Sequence, residues 1–218
     1  MIFAKIDFIN LLPFYIFIKK SIASSQIKAI INYKKSYPSN INKQFKKHQI
    51  DAAFISSIAS RKCQCLNIGI VAQNEVLSVL SLKGSYEKDF QSDTSNALAQ
   101  ILNINGKVLI GDKALQHYYN DDHKDFIDLA KEWKAQHHLP FVFARLCVHK
   151  HSGYLTKLST KFLKTKVKIP QYILKQYAHR SGLTPKQIIH YLEKISYTIG
   201  YKEEQSLKKF LQLTKDLS

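Results

Sequence analysis

Apolar residues fall in short blocks along the chain, and each block stops at a polar or turn-forming residue. The first runs from Ile2 to Ile9, halts at Asn10 and resumes behind Pro13. Pro suits a first helical turn, where its missing N–H has no partner in any case, and Asn suits the turn before it. The text therefore predicts a strand, a turn and a helix over 11–20. Ile27, Ile30 and Ile31 predict a second strand across 26–33, and Pro38-Ser39 opens a helix with Ile41 and Phe45 on one face and Lys43, Lys46 and Lys47 on another. The block from Asp51 to Ile58 predicts a short buried strand that ends in two hydroxyls, Ser56 and Ser57. Strand and helix in alternation is the order of a parallel α/β sheet.

Further strands are predicted over 66–71 and 76–82, the second with Ser78 among apolar neighbours. Ser92, Asp93, Thr94 and Ser95 offer several caps for a helix carrying Ala97, Leu98, Ile101 and Leu102. A strand over 107–110 closes at Gly111-Asp112, before a short helix over 114–119. Phe126, Leu129, Ala130 and Trp133 recur at helical spacing, and Pro140 precedes a strand over 141–148. From Tyr154 onward the pattern is almost entirely helical, with Thr184-Pro185 as a clear helix start. Two α/β units on either side of Ser78, with a strand returning near Phe141, predict two lobes joined by two crossings. Residues 1–80 with 147–218 form the first lobe and its helical tail, and 81–146 the second. Such lobes enclose a hinged cleft.

Composition narrows the function classes. The 218 residues carry a formal charge of +17, which favours an anionic partner: nucleic acid, a membrane surface or a small acid. The basic residues of 150–218 follow helix periodicity, with tyrosines on the apolar stripes. They read as exposed lysines over a packed core, and no groove-reading motif accompanies them. The apolar run Phe8–Ile18 is interrupted and too short for a bilayer, and the N-terminus has no leader pattern. A cytoplasmic location without membrane insertion is the expectation. Cys63, Cys65 and Cys147 predict no disulfide framework, and Cys63-Gln64-Cys65 lacks zinc spacing. His117, His123, His137, His138, His149 and His151 show no metal-ligand spacing either, and are expected at the surface. Phosphate loops, nucleophile elbows and paired Cys/His are absent from the text.

What remains is a set of neutral donors. Asn10, Ser56-Ser57, Ser78 and Thr94-Ser95 all stand at predicted strand ends or helix starts, where open α/β sheets bind ligands. Each alone is an ordinary cap or turn residue. Together with helix N–H groups they form an uncharged carboxylate cradle, in which a charge-assisted hydrogen bond contributes about 1.5–3 kcal/mol.

Several segments resemble the MqnA family, the chorismate dehydratases of the futalosine route to menaquinone. They are Lys5 to Asn10 with Pro13, Asp51 to Ser57, Glu75 to Val79, Ser92 to Ser95 before a helix, and Ile110 to Asp112. Asp128 to Trp133 leading into Leu139 to Ala144 is the most specific stretch, and Tyr191 to Phe210 follows the family's closing pattern. Leu146 and Asp93 depart from that pattern, which has an aromatic and frequently an Arg there. The resemblance implies a type 2 periplasmic-binding-protein fold and dehydration of chorismate, a small dicarboxylate, with no metal or organic cofactor. It implies Asn10 and Ser78 as catalytic residues. Ser56, Ser57, Thr94, Ser95 and Asp112 are the candidate substrate-binding residues. The rivals are a solute-binding receptor for a small carboxylate, the sister dihydroxynaphthoate synthase, and a nucleic-acid-binding module.

Overall fold

A computed structural model describes residues 1–21, 34–120 and 125–217. Strand β1 (Ala4–Lys5) pairs in parallel with β2 (Lys34–Lys35), and Phe3 bridges in parallel to Ala52. Ala52 begins the fully buried β3 (Ala52–Ser56). Beyond it the ladder turns antiparallel, through β8 (Phe141–Val148) and β4 (Cys65–Ala72) to the edge strand β9 (Ile195–Thr198). A second sheet sets β5 (Val79–Leu82) between β6 (Lys107–Ile110) and β7 (Phe126–Asp128), both antiparallel to it. The predicted strand over 26–33 lies outside the described residues.

Helices cover both sheets: α1 (Leu12–Ser21), α2 (Pro38–Lys46), α3 (Asp93–Ile101), α4 (Gly111–Asn120) and α5 (Leu129–His137). The tail supplies α6 (Ser152–Leu163), α7 (Gln171–Ser181), α8 (Pro185–Glu193) and α9 (Tyr201–Leu213). Helix α1 buries almost its whole circumference because Phe14 packs against Phe3, Phe54 and Phe162, with ring centroids 5.1–6.0 Å apart. A second aromatic knot joins Trp133 of α5 to Phe141 and Phe210, and the indole N–H donates to Ser206 Oγ at 3.0 Å. That bond satisfies the polar edge of a fully buried Trp.

Several expectations change. Residues 141–146, expected in the second lobe, are part of the first sheet, because β8 hydrogen-bonds on both sides to β3 and β4. Val79 and Leu80, expected in the first lobe, pair in the second sheet. Phe126 lies in a strand, and the helix begins only at Leu129, behind the Asp128 cap. The tail contains β9, whose alternation of Ile195 and Tyr197 with Ser196 and Thr198 suits a sheet edge. Cys65 and Cys147 are joined in a disulfide, against the expectation from their sequence positions. The β4–β8 register sets two cysteines 82 residues apart directly opposite one another, and spacing along the chain carries no trace of that.

Candidate active site

A cavity opens between the two sheets. Its walls are apolar, with Phe8, Phe54 and Phe143 among them, and its polar groups are Asn10, Ser56, Ser78, Ser92 and Ser95. Four helix starts meet there. Asn10 and Leu11 belong to the 3-10 turn leading into α1, Pro38 begins α2, Ser92 caps α3 and Gly111 begins α4. Each brings the positive end of a helix dipole, which suits a carboxylate. Among the described residues that line the cavity, none has an ionisable side chain. The lining therefore presents neutral donors and helix ends, with no lysine, arginine or side-chain base among the described residues.

Ser78 stands on a constrained turn. Leu77 before it is buried and adopts φ +59°, a left-handed conformation that Leu rarely takes. The carboxylate of Asp128 holds this turn. Its Oδ2 accepts from the N–H groups of Val76 and Leu77 at 2.9 and 2.7 Å, while Oδ1 accepts from Ala130 and Lys131 at the start of α5, each at 3.0 Å. Gly111 N–H in turn donates to the Ser78 carbonyl at 2.8 Å.

Behind the cavity wall lies Tyr191 of α8, fully buried, with its hydroxyl donating to Ser78 Oγ at 2.9 Å. Burial pushes this phenol well above the usual tyrosine range, and hydrogen bonds with Ser78 and Asn10 offset part of the rise. Tyr197 of β9 donates to the Asn10 carbonyl at 2.6 Å.

Of the residues expected at the site, Asn10, Ser56, Ser78 and Ser95 line the cavity, while Ser57, Thr94 and Asp112 are not among its lining residues. Ser56 is clamped by Asn42, whose amide donates to Ser56 Oγ at 2.8 Å and accepts from Ser56 N–H at 3.2 Å. Ser57, in the turn just after β3, is buried and donates its hydroxyl to the Val142 carbonyl and its N–H to the Phe143 carbonyl. Ser92 and Ser95 share a hydrogen bond of 2.8 Å at the start of α3. Thr94 turns its hydroxyl to the Ile58 N–H at 3.2 Å. Asp112 pairs with Arg180 at 3.2 Å; burial raises its pKa and the guanidinium offsets part of that rise.

Sequence reasoning missed Tyr191 and Asn42. Tyr191 sat on an apolar stripe and was read as core; the available signal was that a buried phenol needs a partner. Next to the lining residues Pro38 and Ser92, Ser39 Oγ donates to the Phe90 carbonyl at 3.1 Å, Ser39 N–H to that of Gln91 at 3.2 Å, and the Tyr37 and Phe90 rings meet edge-on. Among the described residues no group of three or more His, Cys, Asp or Glu gathers as a metal site, and His123 lies outside them.

Residues 90–216 match a family model described as menaquinone biosynthesis. A chorismate dehydratase from Campylobacter jejuni subsp. jejuni serotype O:23/36 (strain 81-176) is 48% identical over 223 residues, covering 100% of this chain and 99% of that one. Among solved structures, a protein from Archaeoglobus fulgidus superposes with a TM-score of 0.67 at 12% identity, over 99% of this chain and 96% of the other. The zinc-bound ligand-binding component of an ABC-type import system from Staphylococcus aureus gives 0.50 at 12% identity, over 100% and 92%. These two likenesses concern the fold alone, which is of the periplasmic-binding-protein kind.

Proposed function

The chain belongs to the chorismate dehydratases of menaquinone biosynthesis, and from that premise we propose how its cavity takes water from chorismate. The substrate has one carboxylate on a cyclohexadiene ring and a second on an enolpyruvyl ether. Loss of the ring proton beside the ether, and of the neighbouring hydroxyl, gives 3-[(1-carboxyvinyl)oxy]benzoate and water. The ring becomes aromatic, so the driving force is large. The protein's task is to orient the departing groups and to stabilise charge as it spreads into the ring carboxylate.

In this reading Asn10 holds the leaving hydroxyl and Ser78 hydrogen-bonds the reacting face. Ser56 and Ser95, with the four helix starts, receive the carboxylates. Ser57, Thr94 and Asp112 act from behind the wall, through their bonds to Val142, Ile58 and Arg180. Because no ionisable side chain among the described residues lines the cavity, the proton acceptor is the substrate's own enolpyruvyl carboxylate. Closure of the cleft excludes water and strengthens each hydrogen bond inside. The sheet of β5, β6 and β7 with the helices between its strands, within residues 79–140, forms the closing lobe. We place the reaction in the futalosine route and the protein in the cytoplasm, where reducing conditions would keep Cys65 and Cys147 as thiols.

The observation that carries this reading is the apolar cavity ringed by helix starts and neutral donors, in a chain 48% identical to a chorismate dehydratase. Incubation with chorismate, followed by ultraviolet absorbance of the aromatic product, tests it. Asn10→Ala and Ser78→Ala should each lower kcat at least about tenfold, the equivalent of one charge-assisted hydrogen bond. Unchanged turnover in both would refute the role assignments. Chorismate binding without turnover would favour a receptor.

A further inference from the structure

We propose that Tyr191 is a positioning residue of the dehydration, which fixes the Ser78 hydroxyl as a donor toward the cavity. The inference rests on the reading of Ser78 as a catalytic group. Tyr191 belongs to α8 in the tail, outside the cavity lining, yet its phenol donates to the residue proposed to act on the reacting face.

The placement of the protons decides what Tyr191 does. A serine hydroxyl has one proton and two lone pairs. Tyr191 gives its proton to Ser78 Oγ at 2.9 Å, which occupies one lone pair and leaves the serine proton free. Among the described residues Tyr191 is the only hydrogen-bond partner of that hydroxyl, so the free proton faces the cavity that Ser78 lines. The bond from phenol to serine is thereby polarised in one direction, which strengthens the serine as a donor.

Burial keeps Tyr191 protonated, so the phenol acts as a donor across the working pH range rather than as a base. A phenolate there would draw the serine proton back and remove the donor from the cavity. Tyr197 adds a second anchor from the tail, holding the Asn10 backbone at 2.6 Å.

The test is Tyr191→Phe, which keeps the ring and removes the hydroxyl, measured beside Ser78→Ala and the double variant. Tyr191→Phe should lower kcat about 2- to 12-fold, the worth of one neutral hydrogen bond. KM should stay within about twofold and the pH–rate profile should keep its shape, since the phenol does not titrate in the working range. Because Tyr191 acts through Ser78, the double variant should turn over within about twofold of Ser78→Ala alone. A slow Ser78→Ala beside an unaffected Tyr191→Phe would overturn the inference. So would losses that multiply in the double variant, the mark of a merely structural role. Normal turnover in Ser78→Ala would instead fault the Ser78 assignment and remove the inference's basis.

Discussion

Replacing Asp128 by Asn probes the turn that presents Ser78. The carboxylate accepts four backbone N–H bonds of 2.7–3.0 Å, two from Val76 and Leu77 and two from the start of α5. An amide has one oxygen. Asn caps a helix nearly as well as Asp, so the oxygen stays with Ala130 and Lys131, and the NH2 group confronts the Val76 and Leu77 donors. Two charge-assisted bonds disappear, each worth about 1.5–3 kcal/mol, and relief of a buried charge returns part of the loss, for a net of roughly 2–4 kcal/mol. In a chain of this size that lowers Tm by about 5–15 °C. The left-handed conformation of Leu77 costs about 1–2 kcal/mol, and without its two acceptors the turn relaxes. The productive Ser78 geometry then becomes roughly 5- to 30-fold rarer, and kcat falls in proportion. Thermal denaturation and initial rates of aromatic product formation measure the two effects. Asp128→Ala, which also uncaps α5, should lose a further ~1 kcal/mol. An Asp128→Asn protein with Tm within 2 °C and kcat within about twofold of the parent would refute this account of the turn.

Two other perturbations have distinct signatures. Burial raises the Asp7 carboxyl, but Lys5, the Tyr177 hydroxyl and Arg180 together outweigh it, and its pKa lies below the ordinary value. The stability it contributes is complete above the ordinary carboxylate pKa of about 3.9 and is lost as pH falls through the lowered folded value. The Tm difference between the parent and Asp7→Asn should be widest near neutrality and close toward pH 3; a gap independent of pH would contradict it. At Gly111, φ is +63° and an added Cβ would stand 2.9 Å from Phe8 Cε1. Gly111→Ala should lose about 1–2 kcal/mol from backbone strain and push Phe8 into the cavity, raising KM for chorismate. Unchanged KM and Tm would count against that packing.

The local parts of the site were legible in the chain because they depend on neighbours in sequence. Asn10 before a Pro-containing helix, Ser92 three residues ahead of Ser95, and hydroxyls at the end of a buried strand each state their own geometry. What pairing decides was not legible. The strand 141–148 reads the same whether it joins one sheet or the other, and only its ladder with β3 and β4 sets its place. The opposed Cys65 and Cys147 belong to the same class of fact. Ser56 and Ser57 are equivalent hydroxyls in sequence, and only the neighbouring strand, whose Val142 and Phe143 carbonyls bind Ser57, separates their roles. Asp112 stood beside a lining glycine and was read as a ligand contact, because its partner Arg180 lies 68 residues away.

The tail was expected to pack on the first lobe, yet its contacts tie both lobes to the reacting groups. Arg180 of α7 pairs with Asp7 in the first lobe at 2.9 Å and with Asp112 on α4 in the second at 3.2 Å. Gln116 of α4 donates to the Ser181 carbonyl at 2.6 Å, and the Tyr119 hydroxyl meets His190 of α8 at 2.7 Å. Three residues after Asp7 comes Asn10, and α8 itself carries the Tyr191 that bonds Ser78. A rotation of α4 away from the first lobe therefore strains the segment that aligns Asn10 with Ser78. On the proposed reading, closure over the substrate and alignment of the donors would be a single event, with the tail as the coupling element. A receptor that must release its ligand intact gains nothing from such coupling. An enzyme does, because the donors reach their working geometry only when water is shut out.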